Sequence, residues 1–198
     1  MPNDAANRAD VCRVRLSGHL GALPVEAELT WRGGALVGLD LHARGARIDG
    51  SVPSRRLIQC PEDAGPSAAL RSDLAQALFQ PEQLGRAGRE RLLALIQPQG
   101  SPFAHRVWQA LARIPSGRCC SYATLARLAG RPNAVRAVAS ACARNPIAVL
   151  LPCHRVVHAD GRPGAYRWGD QLKRALLERE GVLTPGCARV EHTKLLGD

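Results

Sequence analysis

The sequence predicts an α+β fold, with an antiparallel sheet first and helices after it. Three observations carry this. Residues 11 to 41 hold three runs of alternating apolar and polar residues, VCRVRL, VEAELTW and ALVGLDL, the period of strands that bury one face. From Pro66 the apolar period lengthens to that of an amphipathic helix. Further on, Ser121 and Gly130 bracket the short segment YATLARLAG, and a second short segment follows Pro132, the pattern of two helices joined by a tight turn. The break at Gly100-Ser101-Pro102 divides the chain into an expected sheet subdomain over residues 11–98 and an expected helical one over 101–183.

In chain order, Gly33-Gly34 turns the second strand into the third, so the three runs form a meander. Residues 43 to 65 are broken by glycine and proline and read as loop. SAALRSDLAQALF sets Leu70, Leu74, Ala77 and Leu78 on one helical face, with Ser67 as N-cap. RLLALIQP is short and apolar, a strand or a buried helix turn, and its closure by Pro98 and Gly100 favours the strand. The next helix puts Phe103, Val107, Leu111 and Ile114 on one side with Trp108 beside them, all read as core. Asn145-Pro146 ends the second helix of the pair, and IAVLLP leads to Cys153. Near the end, GDQLKRALLEREG is amphipathic on Leu172, Leu176 and Leu177. The tail from Thr184 carries no motif.

Hydrophobic residues are 45% and charged residues 22% of the chain, an ordinary globular composition that excludes general disorder. No run reaches the length of a membrane span and the first residues lack the apolar stretch of a signal peptide, so a cytosolic protein is expected. A net charge of +10 and a pI near 10.1 point to a polyanion, with nucleic acid foremost. Lys173 and Lys194 are the only lysines; arginine, which grips phosphate bidentately, supplies the rest. Arg127, Arg131, Arg136 and Arg144 gather on the helix pair. Seven cysteines without an export signal imply mostly reduced thiols, and Cys12 and Cys142 read as small core residues. Cys12, His19, His42 and Cys60 lack zinc-ligand spacing, so no metal is expected.

LPCHRVV, residues 151 to 157, is the chemically loaded stretch. Cysteine reacts as thiolate, and a neighbouring imidazole in electropositive surroundings favours that form. On an extended strand Cys153 and His154 would point to opposite faces, so direct proton transfer between them needs a turn or a bridging water. A cysteine hydrolase is one reading, although such dyads usually join residues distant in sequence.

PCHRV, with SYATLA and RPNAVRAVASACARNP upstream and GAYRWG downstream, resembles the O6-alkylguanine-DNA alkyltransferases. The resemblance implies an RNase H-like sheet subdomain followed by a winged helix-turn-helix-like subdomain. It implies Cys153 as the alkyl acceptor in a single-turnover repair of O6-alkylguanine, with no cofactor. His154, oriented by Glu180, would work on the cysteine through a water, and Asn145 would brace the loop before it. Tyr122 would donate to the guanine ring nitrogen. The carbonyls of Cys153 and Val156 would meet the exocyclic amine, and the Arg167 N–H would face O6. Gly164, with Gly169, would permit a tight loop over the pocket, and Tyr166 and Trp168 would line it. The partner implied is duplex DNA, held in its minor groove by Arg131, Ala134 and Arg144 with Arg136 as the finger that replaces the extruded nucleotide; the protein is expected to be a monomer. Two rivals remain on sequence grounds. An alkyltransferase-like damage sensor would lack the cysteine, and a methylation-sensing helix-turn-helix regulator would usually carry a cysteine-rich metal domain.

Overall fold

The computed structural model describes residues 11–43, 66–81, 83–191 and 194–196. The described residues fall into two compact units, one up to His19 together with Pro24–Pro98, the other Leu20–Leu23 together with the chain from Gln99. The expected loop over 43–65 lies, beyond Ala43, outside the described residues.

Strands β1 (Val11–Leu20), β2 (Leu23–Arg32) and β3 (Ala35–Ala43) form a sheet in sequence order. β2 runs antiparallel to β3 with Val25 opposite Ala43 and Arg32 opposite Ala35. Alternation does what the sequence predicts: Val25, Ala27, Leu29 and Trp31 are buried, while Glu26, Glu28 and Thr30 between them are half-buried. Gly33 and Gly34 both adopt positive φ, 54° and 78°, which suits the twist of a two-residue hairpin.

Helix α1 (Ala68–Phe79) starts where expected, with Ser67 Oγ accepting the Leu70 N–H at 3.3 Å. The strand expected over RLLALIQP is instead mostly helix. α2 (Arg86–Ala94) takes its first half, and extended pairing survives only as the bridge between Leu36 and Ile96. Two features outside the apolar string decide this. RAGRER ahead of it extends the helix, and Arg91 makes a bidentate ion pair with the largely buried Asp73 of α1 at 3.0 and 2.8 Å.

The second unit holds α3 (Pro102–Ala112), β4 (Cys120–Ser121), α4 (Tyr122–Leu128), α5 (Val135–Ala143), a 3-10 turn over Cys153–Arg155, β5 (Val156–Val157) and α6 (Asp170–Arg179). Ser101 and Ser121 cap α3 and α4 through their hydroxyls. Val107, Trp108, Leu111 and Ile114 are buried as predicted, and the Trp108 indole donates to the Ala141 carbonyl at 3.0 Å, fastening α5 to α3. Phe103 is a correction: on the first turn of α3 it is only partly buried. Pro132 lies outside α5, which begins only at Val135 after the N-cap Ala134.

β4 and β5 pair in parallel, Cys120 with Val156 and Ser121 with Val157. The tail joins this pairing, since Cys119 donates to the Lys194 carbonyl and accepts from the Leu196 N–H at 2.9 and 2.6 Å. Cys119, Val157, Leu177, Val182, Leu183 and Val190 form the cluster beneath, and each buried leucine there contributes about 2 kcal/mol over exposure. Cys119, Cys120, Cys142, Cys153 and Cys187 are free thiols, in line with the expectation of mostly reduced cysteines, whereas Cys12 is disulfide-bonded. No helix among the described residues is long and apolar enough to cross a membrane.

Candidate active site

The polypeptide between α5 and β5 is wound around one buried side chain. Asn145, fully buried, accepts the Ile147 N–H on Oδ1 at 3.0 Å and donates from Nδ2 to the Leu151 carbonyl at 2.7 Å and to Cys153 Sγ at 3.1 Å. Between those anchors the Leu150 N–H closes a three-residue turn onto the Ala148 carbonyl at 2.6 Å, which forces Val149 to φ 63°. A β-branched residue in the left-handed region costs on the order of 1–3 kcal/mol, so the loop keeps this shape only because Asn145 ties it at both ends.

Cys153 and His154 then enter the 3-10 turn, where the Arg155 N–H meets the Pro152 carbonyl and the Val156 N–H meets that of Cys153. The chain turns, so the opposite-face geometry of a strand does not apply. Burial pushes the Cys153 thiol up to about 11, against the opposing pull of the Asn145 amide, Lys173, its own backbone and Arg167. At neutral pH it is a thiol and needs a base.

His154 is fully buried and its Nε2 lies 3.0 Å from Glu180 Oε1, at the C-cap of α6. Arg155, next in the motif, closes on the same carboxylate through Nε at 2.9 Å and a second nitrogen at 2.7 Å, and its remaining nitrogen donates to the Ile114 carbonyl at 2.6 Å. Burial opposes ionisation of Glu180, but His154 and the Arg155 hydrogen bonds outweigh it and hold the carboxyl down to about 2. Burial also lowers His154, with Arg155 and Arg179 adding to it against the pull of Glu180, so the ring is neutral. With Nε2–H directed at the carboxylate, Nδ1 keeps its lone pair, and Nδ1 is buried with no hydrogen-bond partner in the protein.

The β4–β5 pairing brings Tyr122, the first residue of α4, alongside the strand that leaves the cysteine. Burial pushes its phenol up to about 12, with Cys142, Cys153 and Cys120 adding to it, so it stays a proton donor. The Cys153 and Val156 carbonyls each already accept one bond, from the Val156 N–H and from Lys173 Nζ at 2.8 Å, and each retains a second lone pair. Gly164 has φ 71°, and a Cβ there would meet the His158 ring at 2.8 Å. Tyr166 is buried with its ring edge-on to His154 at 6.4 Å and its hydroxyl without a protein partner. Trp168 stacks obliquely on Tyr166 at 5.0 Å.

Arg131, Arg136 and Arg144 are exposed, with the half-buried Ala134 at the head of α5, and no ion pair joins these arginines to a carboxylate among the described residues. They lie on α5 and on the segments just before and after it.

Several features were missed at the level of sequence. Arg155 is a buried partner of Glu180 and not a free local charge, Arg167 ties the 164–169 loop to the Asn145 carbonyl at 3.1 Å, and Lys173 is buried. The signal for Lys173 was its position one residue after Leu172, on the apolar stripe of α6.

Comparison with known proteins gives three results. Residues 102–182 match the family described as 6-O-methylguanine DNA methyltransferase, DNA binding domain. The chain is 49% identical to the regulatory protein Ada of Salmonella typhimurium over 120 residues, 58% of this chain and 33% of that protein, and 46% identical to a methylated-DNA--protein-cysteine methyltransferase of Kluyveromyces lactis over 42% of this chain and 44% of that one. It thus spans less than half the length of these curated relatives. Among solved structures, the Mycobacterium tuberculosis O6-methylguanine methyltransferase is 30% identical, with 89% of this chain and 96% of that one covered at a TM-score of 0.64.

Proposed function

The chain belongs to the O6-alkylguanine-DNA alkyltransferase family, and from that premise we propose that it transfers an alkyl group from O6 of guanine in duplex DNA to Sγ of its own Cys153, once per molecule. The single observation that carries this reading is the His154–Glu180 contact at 3.0 Å, which leaves a neutral imidazole with its free nitrogen buried, on the residue next in sequence to a thiol that cannot ionise alone.

The chemistry follows from those protonation states. The Cys153 proton passes to His154 Nδ1 through a water, and Glu180, held ionised by Arg155, stabilises the imidazolium that forms. Sγ attacks the alkyl carbon in line, the S–C bond forms and the C–O6 bond breaks. The electron pair returns to the guanine, and the Tyr122 hydroxyl supplies hydrogen-bonding or a proton to its ring nitrogen so that it leaves without full negative charge. The Cys153 and Val156 carbonyls accept from the exocyclic amine and the Arg167 N–H faces O6. Asn145 keeps the nucleophile at the end of α5, so that DNA bound there and the thiol move together. The product is a thioether, which water does not cleave, and the reaction stops at one turnover.

An O6 substituent inside a stacked duplex is out of reach, so the nucleotide must be extruded. The exposed face of α5 supports entry into the minor groove: Ala137, Ser140 and Ala143 are small and Arg136 projects from the first turn. Arg136 takes the space of the extruded nucleotide, and Arg131, Ala134 and Arg144 follow the backbone. The protein acts as a monomer and needs no cofactor or metal.

Incubation with a duplex containing one O6-methylguanine, followed by intact mass and peptide mapping, tests the reading. One methyl on Cys153 and no further turnover is the expected result; an unmodified Cys153 with the lesion intact would overturn it.

A further inference from the structure

Phe103, on the first turn of α3, holds two guanidinium groups. Arg106 Cζ lies 5.5 Å and Arg131 Cζ 5.7 Å from its ring centroid, both within cation–π reach. The two arrive by different routes. Arg106 is three residues further along the same helix, where side chains of one face meet. Arg131 is aimed by the end of α4. Gly130 at φ 74° lets its own N–H reach the Arg127 carbonyl and the Arg131 N–H reach that of Ala126, both at 2.9 Å, and this paired closure fixes the direction of the chain at Arg131.

Among the described residues nothing acidic neutralises them. From residue 91 to residue 159 the sequence contains no aspartate or glutamate, and among the described residues no carboxylate pairs with Arg106, Arg113 or Arg131. Arg106 and Arg113 also line a cleft of about 250 Å3 whose far wall is Leu128 and Gly130. Both guanidiniums are held at one ring with no carboxylate on them among the described residues, and guanidiniums take phosphate oxygens in forked geometry. An acidic peptide would offer the same charge. Arg131, however, lies in the turn of the helix pair, three residues before the N-cap of α5, the helix assigned above to the DNA.

We propose that Phe103, Arg106 and Arg131 form a clamp for one backbone phosphate of the DNA, extending the contact surface from α5 onto α3. This deepens the reading of the protein as a duplex-DNA repair enzyme and rests on it. The clamp reads no base, and both arginines serve one phosphate.

The test measures affinity for an undamaged duplex as KCl rises from about 50 to about 200 mM, in the parent, Arg106→Gln, Arg131→Gln, the double variant and Phe103→Leu. One shared phosphate predicts that the double variant lowers the salt slope by about 0.9, no more than a single contact is worth. Phe103→Leu keeps both charges but frees them, and weakens binding by roughly tenfold. Methyl uptake from the free base O6-methylguanine, which needs no phosphate, stays at the parent level in Arg106→Gln and Phe103→Leu. A slope change of about 1.8 would mean two independent charges and overturn the clamp. So would parental binding in the double variant or in Phe103→Leu. Loss of polyglutamate binding with DNA binding intact would overturn it in favour of an acidic protein partner. Failure of the parent itself to take methyl from base or DNA would instead sink the alkyltransferase reading.

Discussion

Replacing Glu180 by glutamine removes the charge from a carboxylate shared by three N–H groups, one from His154 and two from Arg155. Its side chain is only 3% exposed, so solvent screens little of the interaction. Folding lowers the carboxyl from 4.5 to about 2, which corresponds to about 3 kcal/mol of stability. The sign follows from the depressed value: this stabilisation is complete above the unfolded pKa of 4.5 and is lost as pH falls towards 2. Glu180→Gln should therefore lower the thermal midpoint at pH 7 by roughly 10 °C and erase that part of the acid limb. The amide also stops compelling the His154 tautomer and loses the charge that stabilises imidazolium. Single-turnover transfer should fall by about 100-fold at pH 7. It should recover in part at alkaline pH, since a thiol pushed up to about 11 begins to ionise unaided. Differential scanning fluorimetry from pH 3 to pH 8 and rates from about pH 6 to about pH 10 measure both legs. A variant with the parent's midpoint and the parent's rate profile would refute the assignment of Glu180 to the site.

Cys153→Ala should abolish methyl uptake in intact-mass measurements while duplex affinity stays within about twofold, because the thiol touches Asn145 and no phosphate; any methylated product in that variant would move the nucleophile elsewhere. Arg136→Ala should slow repair of a duplex by tenfold or more, roughly, yet leave reaction with the free alkylated base unchanged, and equal losses on the two substrates would remove the extrusion role. Lys173→Met keeps the volume but takes away the donor to the Val156 carbonyl and a cation that lowers the Cys153 thiol. Transfer at pH 7 should drop by about tenfold with little change in thermal midpoint, since a buried apolar isostere avoids the cost of desolvating an ammonium; an unchanged rate would make Lys173 a packing residue only.

The helix caps and the strand alternation were legible because each is written in a few adjacent residues. Ser67 and Ser121 accept the N–H groups that cap chemistry requires, and β2 buries every second residue. What escaped depended on partners far along the chain. RLLALIQP has no local feature that separates helix from strand, and Asp73, 18 positions from Arg91, belongs to another helix. Nothing local marks Arg155 as a buried ion-pair partner, because its carboxylate, Glu180, lies 25 residues later. Phe103 fits the inner stripe of α3 by period, but a first-turn residue has little above it to be buried against.

The two-residue pairing of β4 with β5 has a consequence for when the site comes into being. Such a short parallel contact cannot persist alone, and it joins Cys120 to Val156 across a long loop whose closure is slow. Its other neighbour, Leu195, and the counter-charge for Arg155 at Glu180 emerge later still during synthesis. A chain that has left the ribosome only as far as Val157 has its cysteine but neither the carboxylate nor the outer strand. The surroundings of Cys153 are therefore completed only after α3, α4 and α5 have been synthesised.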